Sequence, residues 1–198
     1  MSERAGSKRK TRDADATRNA LLVAARTEFQ RAGYEGASTR KIAADAGCNI
    51  ALISRYFGAK IGLFEAVMEG CIDLSPLAGL SPEDMASSLA DIALKKTDAQ
   101  SGFDPLVVAI RSSGSATAQE TIRKQLGDPM VDELAALIGG DDAKQKAGVI
   151  LSLVSGIYVG RVAIGASAMA VGQDDVLRPL ITAALRAVLL PVEDGAEE

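Results

Sequence analysis

The 198-residue sequence predicts an all-α fold. Three observations carry that expectation. Apolar residues recur at spacings of three and four, no stretch alternates apolar and polar with period two, and several helix starts are written as a capping residue followed by proline. With 47% hydrophobic and 24% charged residues, the chain has the composition of a globular protein with a real core.

Taken in order, Leu21, Leu22, Ala25, Phe29 and Ala32 share one face and Gly33 follows as a cap, so a first helix is expected from about Thr17 to Ala32. Ser38 and Thr39 offer an N-cap for a short helix bearing Ile42, Ala43 and Ala46, ended by Gly47. Asn49 caps a third, with Ile53 and Phe57 at i, i+4 and a stop near Gly58. A fourth opens at about Lys60 and carries Leu63, Phe64, Val67 and Cys71. Ser81-Pro82, Asp104-Pro105 and Asp128-Pro129 each put a capping residue before a proline suited to the first helical position. The helices they start present Met85, Leu89 and Ile92, then Leu106, Val107 and Ile110, then Val131, Leu134 and Ile138. Between the last two, a helix over about 117–126 turns Ile122 and Leu126 inward. Asp141-Asp142 opens a long helix reaching to about Gly172, and a final one spans about 175–190, with an acidic tail over 192–198.

Residues 147–172 hold a single charge, Arg161. A run so apolar is long enough to cross a membrane, but a charge near its centre is costly in lipid and Ser and Gly dilute it. The expectation is a helix buried on both sides, by its own domain and by a second copy of the chain. Gly156 and Gly160 permit close approach, and Gly156, Gly160, Ile164 and Leu185 are the dimer-interface candidates.

Charge is uneven. Residues 1–60 carry twelve basic and six acidic side chains, net +6, and the remainder ten basic and twenty acidic, net −10. A basic head on an acidic body points to a polyanion partner for the head alone. The chain has no histidine, which excludes histidine triads, histidine metal sites and an imidazole pH switch. Cys48 and Cys71 are too few and wrongly spaced for a zinc site, so no metal or cofactor is expected and both read as reduced thiols. The charged start offers no export signal, and the expected location is cytoplasmic.

Residues 38–60 form the most informative segment. Two short helices joined by Gly47-Cys48-Asn49 make a helix-turn-helix: Ala43 is small where the helices cross, Gly47 suits a left-handed turn, and Ile42, Ala46, Cys48 and Ile53 form a buried seam. Residues 39–64, TRKIAADAGCNIALISRYFGAKIGLF, resemble the DNA-binding signature of the tetracycline-repressor (TetR) family, and the likeness covers about 17–64. The resemblance implies an N-terminal three-helix helix-turn-helix DNA-binding domain and a C-terminal helical ligand-binding and dimerisation domain. The expected division is a basic flexible arm over 1–16, the DNA-binding domain over 17–64, the ligand-binding and dimerisation domain over 65–191, and the tail.

By the same resemblance Thr39 and Tyr56 bond phosphates, Arg40 reaches base edges and Lys60 meets backbone at the start of the fourth helix. Ile50, Ala51 and Ser54 fall on the face that meets the major groove, and Arg55 adds a phosphate or base contact. Ser54 stands where the family often has Tyr, and few hydrogen-bonding groups are left for direct readout. The implied function is a non-enzymatic, ligand-responsive regulator. The resemblance further implies a repressor that binds a palindromic double-stranded operator as a homodimer and is released by a small-molecule effector.

For the effector pocket the candidates are Met85, Phe103, Leu106, Ile110, Arg111, Met130 and Tyr158, with plain core as the competing reading of the apolar ones. Arg111, Arg123 and Arg161 could meet an anionic group or serve in ion pairs. Two alternatives stand beside the regulator. One is an all-α enzyme using Asp141/Asp142 or Asp174/Asp175, though helix capping explains those pairs; the other is an architectural DNA-binding protein with no effector pocket.

Overall fold

The computed structural model describes residues 3–94, 102–170 and 172–190, with the side chains of 3–12, 162 and 163 outside the description. The expected tail over 192–198 therefore lies outside the described residues. The helices are α1 (Glu3–Gly36), α2 (Thr39–Asp45), α3 (Ala51–Phe57), α4 (Lys60–Met68), α5 (Pro82–Leu94), α6 (Pro105–Ser112), α7 (Ala116–Ile122), α8 (Asp128–Ile138), α9 (Ala143–Tyr158) and α10 (Asp174–Leu189). Among the described residues there is no strand, and the fold is all-α as expected.

Packing divides the chain into two compact units. The first takes in everything up to Ile72 together with Phe103–Leu126; the second takes in Asp73–Gly102 and the chain from Gly127 onward. Division by packing thus differs from division along the sequence, because α6 and α7 belong with the N-terminal helices.

In the first unit Leu21, Ala25 and Phe29 of α1, Ile42 of α2 and Leu63, Phe64, Val67 and Met68 of α4 close one core, joined by Val108 of α6 and Ala118 of α7. Phe64 meets the rings of Phe29 and Tyr34 edge-on, at 5.0 and 5.1 Å between centroids. Edge-to-face packing sets the partial positive ring edge against the negative face, adding orientation to burial.

The first helix starts at Glu3, well before the Thr17 expected, so the segment read as a flexible arm continues α1 backward. Its Lys, Arg, Ala and Glu are good helix formers, and no proline interrupts them. α1 also breaks at Gly33 (φ 65, ψ −178). A Cβ there would stand 2.3 Å from the Arg111 carbonyl oxygen, so this glycine both takes the left-handed turn and lets α6 come against α1. Polar contacts fix the same joint. Arg111 Nη1 donates to the Gln30 and Arg31 carbonyls (2.7 and 2.6 Å), the Tyr34 N–H to Ser112 Oγ (2.9 Å), and the Asp104 N–H to Gln30 Oε1 (2.7 Å).

In the second unit α10 packs on α5, α8 on α9, and α5 on α9. α10 buries Leu177, Ile181, Leu185 and Leu189, four residues at strict spacings of four, and α9 buries Ala143, Ala147, Ile150, Val154 and Tyr158. The single long helix expected over 141–172 is instead α9, a wide π-helical turn over Val159–Ile164, and a stop at Gly165 in the left-handed region (φ 68, ψ 35). The Ala166 N–H closes the end onto the Gly160 carbonyl at 3.1 Å. Among the described residues no helix is long and apolar enough to cross a membrane.

Candidate nucleic-acid interface

The site is built on α2 and α3. Ser38 caps α2, its Oγ accepting the Lys41 N–H at 3.3 Å. α2 closes with the Gly47 N–H on the Ala44 carbonyl and the Cys48 N–H on the Ala43 carbonyl, both at 3.0 Å, and Gly47 takes φ 64. Asn49 opens α3 by accepting the Ala51 N–H on Oδ1 at 2.8 Å. Ile42, Ala43 and Ile53 are buried, with Ala46, Cys48 and Leu52 half-buried beside them. That seam holds the two short helices in one geometry, which neither would keep alone.

The eight DNA-contact candidates all lie in α2, α3 and the residues that start them and α4. Arg40, Ile50, Ala51, Ser54 and Arg55 are exposed; Thr39, Tyr56 and Lys60 are half-buried. Ile50 and Ser54, and Ala51 with Ser54 and Arg55, fall at helical spacings that share a face. Tyr56 stacks edgewise on Phe57, and the Arg18 guanidinium lies 5.2 Å above the Phe57 ring. α1 thereby supports the end of the recognition helix.

Lys60 also makes contacts within its own chain. Its ammonium donates to the Glu35 carbonyl at 3.2 Å and lies 4.8 Å from the Tyr34 ring centre, and partial burial lowers its pKa against the opposing pull of Glu35 and Glu28. The side chain thereby ties the start of α4 to the end of α1 while staying part-exposed.

One residue of the site was missed in the sequence. Glu28, which reads in the sequence as an interruption of an apolar stretch, is 1% exposed. Its carboxylate accepts Arg31 Nη2 and Nε at 2.8 and 3.0 Å and the Ser38 N–H at 3.2 Å, with Lys41 Nζ at 3.9 Å. Arg31's hydrogen bonds hold its pKa below the usual value; burial opposes this, and the Ser38 N–H and the charges of Arg31 and Lys41 add to it. Glu28 therefore pins the corner where α1 turns into α2. Arg31 at i+3 was the available signal, but the Ser38 contact exists only once the chain has folded.

The pocket candidates fall in different units. Phe103, Leu106, Ile110 and Arg111 lie in the first, and Met85, Met130 and Tyr158 in the second. Arg111 is committed to the α1 carbonyls, and Phe103 lies under the Arg26 guanidinium at 5.5 Å. Met85 and Tyr158 are buried in their own unit, while Leu106, Ile110 and Met130 are half-buried. Arg123 pairs with Glu120 at 3.3 Å, and Arg161, 4% exposed, pairs with Asp174 at 2.8 Å while its Nη1 has no partner among the described residues.

Of the dimer candidates, Gly156 is exposed, Gly160 half-exposed and Ile164 73% exposed. Leu185 is fully buried in its own unit, because the spacing of four places it in the stripe facing α5, so it is no interface residue. α10 instead turns Val176 and Leu180 outward, 60% and 64% exposed. Three of the four paired acidic residues are accounted for locally: Asp142 meets Lys146, Asp174 meets Arg161, and Asp174 and Asp175 sit in the first turn of α10, where the helix dipole favours them. Among the described residues no group of three or more Cys, Asp or Glu could hold a metal ion.

An α2–turn–α3 motif with a buried seam and an exposed cationic face defines a helix-turn-helix DNA-binding protein. Residues 21–67 match the family model "Bacterial regulatory proteins, tetR family", and residues 83–189, more than half of the chain, match "Tetracyclin repressor-like, C-terminal domain". The chain belongs to the TetR family of transcription regulators, and so stands among transcription factors rather than enzymes.

A curated relative, the HTH-type transcriptional repressor SCO4008 of Streptomyces coelicolor, is 40% identical over 75 residues, 37% of this chain and 39% of the relative. The chain thus matches well under half the length of that relative. Among solved structures, a TetR-family regulator from Rhodococcus sp. aligns with TM-score 0.65 at 20% identity, covering 89% of this chain and all of the other. NalD, the secondary repressor of the MexAB-OprM multidrug efflux pump in Pseudomonas aeruginosa, aligns with TM-score 0.59 at 18% identity over 91% and 99% of the two chains. These structural likenesses show the fold.

Proposed function

We propose that the chain is a cytoplasmic repressor that binds a palindromic operator as a homodimer and releases it when a small-molecule effector binds. The observation that carries the reading is the exposed surface of Arg40, Ile50, Ala51, Ser54 and Arg55 on two helices whose caps and seam are fully made. Arg40 reads a base edge, Thr39 and Tyr56 bond phosphates, and Arg55 adds a cationic contact. Residues 17–64 are the DNA-binding domain and residues 65–191 hold the effector and dimer functions.

A single recognition helix of this length binds weakly. Two of them, about 34 Å apart on one face of the duplex, suffice for an operator. The exposed Val176 and Leu180 of α10 and Ile164 after α9 supply apolar surface for the pairing. An effector acts only through its preference for the conformer that does not fit DNA, and that preference sets how far the population moves.

The test is selection of bound duplexes from a random library by the full-length chain, followed by sedimentation of the complex and a metabolite screen for release. A palindromic winner bound by two protomers supports the reading. A non-palindromic one bound by a single protomer overturns the dimer, and release by none of the metabolites favours an architectural role.

A further inference from the structure

The recognition helix opens on a feature that packing does not explain. The residue before a helix ordinarily carries an oxygen that takes an orphan N–H, which is why Ser, Thr, Asp and Asn dominate there. Here that residue is Asn49, whose Oδ1 accepts the Ala51 N–H at 2.8 Å, and Ile50, helical in backbone (φ −54, ψ −30) and 43% exposed, is the first residue of the helix proper. Ile50 therefore neither caps the helix nor joins the seam, where Ile42 and Ile53 are buried. Ala51 beside it is also exposed, so the first turn of α3 presents aliphatic carbon where Arg40, Ser54 and Arg55 present polar groups around it.

The major-groove edges of the four base pairs offer hydrogen-bond donors, acceptors and one apolar group, the thymine C5-methyl. Resting on the operator-binding reading above, we propose that Ile50 and Ala51 are specificity-determining residues that read thymine methyl groups in each half-site. Aliphatic carbon pressed against a methyl group removes both from water. Pressed against the cytosine N4–H2 or the guanine O6 edge, the same carbon leaves a donor or acceptor without its water and without a partner. Discrimination at these positions thus comes from rejection of the polar edge as much as from attraction to the methyl, and Arg40 and Arg55 hold the register.

The full-length chain is first used to select duplexes from a random library. In the enriched duplex each thymine is replaced in turn by deoxyuridine, which removes the methyl group and keeps the base pair. One or two positions per half-site are expected to weaken binding about fourfold each, the factor for about 0.8 kcal/mol per apolar carbon. Ile50→Ser, with Ile50→Ala as the second variant, removes the penalty at one such position, and Ala51→Ser removes it at the other. Ile50→Val keeps it. Unchanged circular-dichroism melting shows that each variant is folded. Deoxyuridine without effect at every position, or penalties that persist in the Ile50 and Ala51 variants, would overturn the proposal. A library that yields no enriched duplex would overturn the operator-binding reading and this inference with it, a result distinct from an operator indifferent to its methyl groups.

Discussion

Arg40 and Glu28 show how differently two charged side chains serve one motif. Arg40 is exposed at the start of α2, with no hydrogen bond or ion pair to explain an arginine there among the described residues. Arg40→Ala is expected to weaken operator binding by ~1–3 kcal/mol and relax specificity at one base pair, checked by titration of a labelled operator against its single-site variants. Glu28 faces inward and is almost wholly buried, yet it holds the N–H of the residue that caps α2. Glu28→Gln should lower the melting temperature by about 3–10 °C near neutral pH, because two charge-assisted bonds become weaker ones. Since the folded protein holds this carboxyl below its ordinary value, its contribution is complete above about pH 4.3 and is lost as the pH falls through the lowered pKa. The melting temperatures of wild type and Glu28→Gln should therefore converge on acidification, a comparison made by calorimetry across that range.

At the scale of elements, the joint between α1 and α6 is the feature least expected from their separation along the chain. It is made by a glycine in a left-handed turn, an arginine that caps two carbonyls and a serine that accepts the next N–H. Gly33→Ala sets a methyl group against the Arg111 carbonyl and forces a strained φ, so a loss of more than about 1 kcal/mol is expected, read by denaturant melting. The end of α9 is governed in the same local way. A wide turn followed by glycine in the left-handed region halts a helix that apolar composition alone would have continued.

For the whole molecule, the two sides of α10 carry opposite expectations. Leu185 faces its own core, and Leu185→Ala should destabilise the second unit by about 2–5 kcal/mol. Leu180 faces outward, and Leu180→Glu should leave the protomer's melting nearly unchanged while shifting sedimentation toward monomer. A variant that melts as wild type and still sediments as a dimer would move the interface away from α10. The charge division, +6 over residues 1–60 and −10 beyond, belongs to the same scale: it attracts a polyanion to the first stretch and repels it from the second.

Local chemistry was legible in the residues themselves. Apolar spacing of three and four, proline after a capping residue and glycine at a turn act over one or two helical turns, so the helices from α2 to α8, the start of α10 and the helix-turn-helix seam follow from the sequence, as does the family signature over 39–64. Tertiary structure decided what depends on residues distant along the chain. It put α6 and α7 with the N-terminal helices, buried Glu28 against Ser38, turned Lys60 onto the end of α1, and placed Leu185 inside while leaving Leu180 outside. Periodicity marks a stripe of apolar residues but not which neighbour covers it, and a charged side chain shows its chemistry without showing its partner. Both are settled only when separate segments compete for the same buried surface.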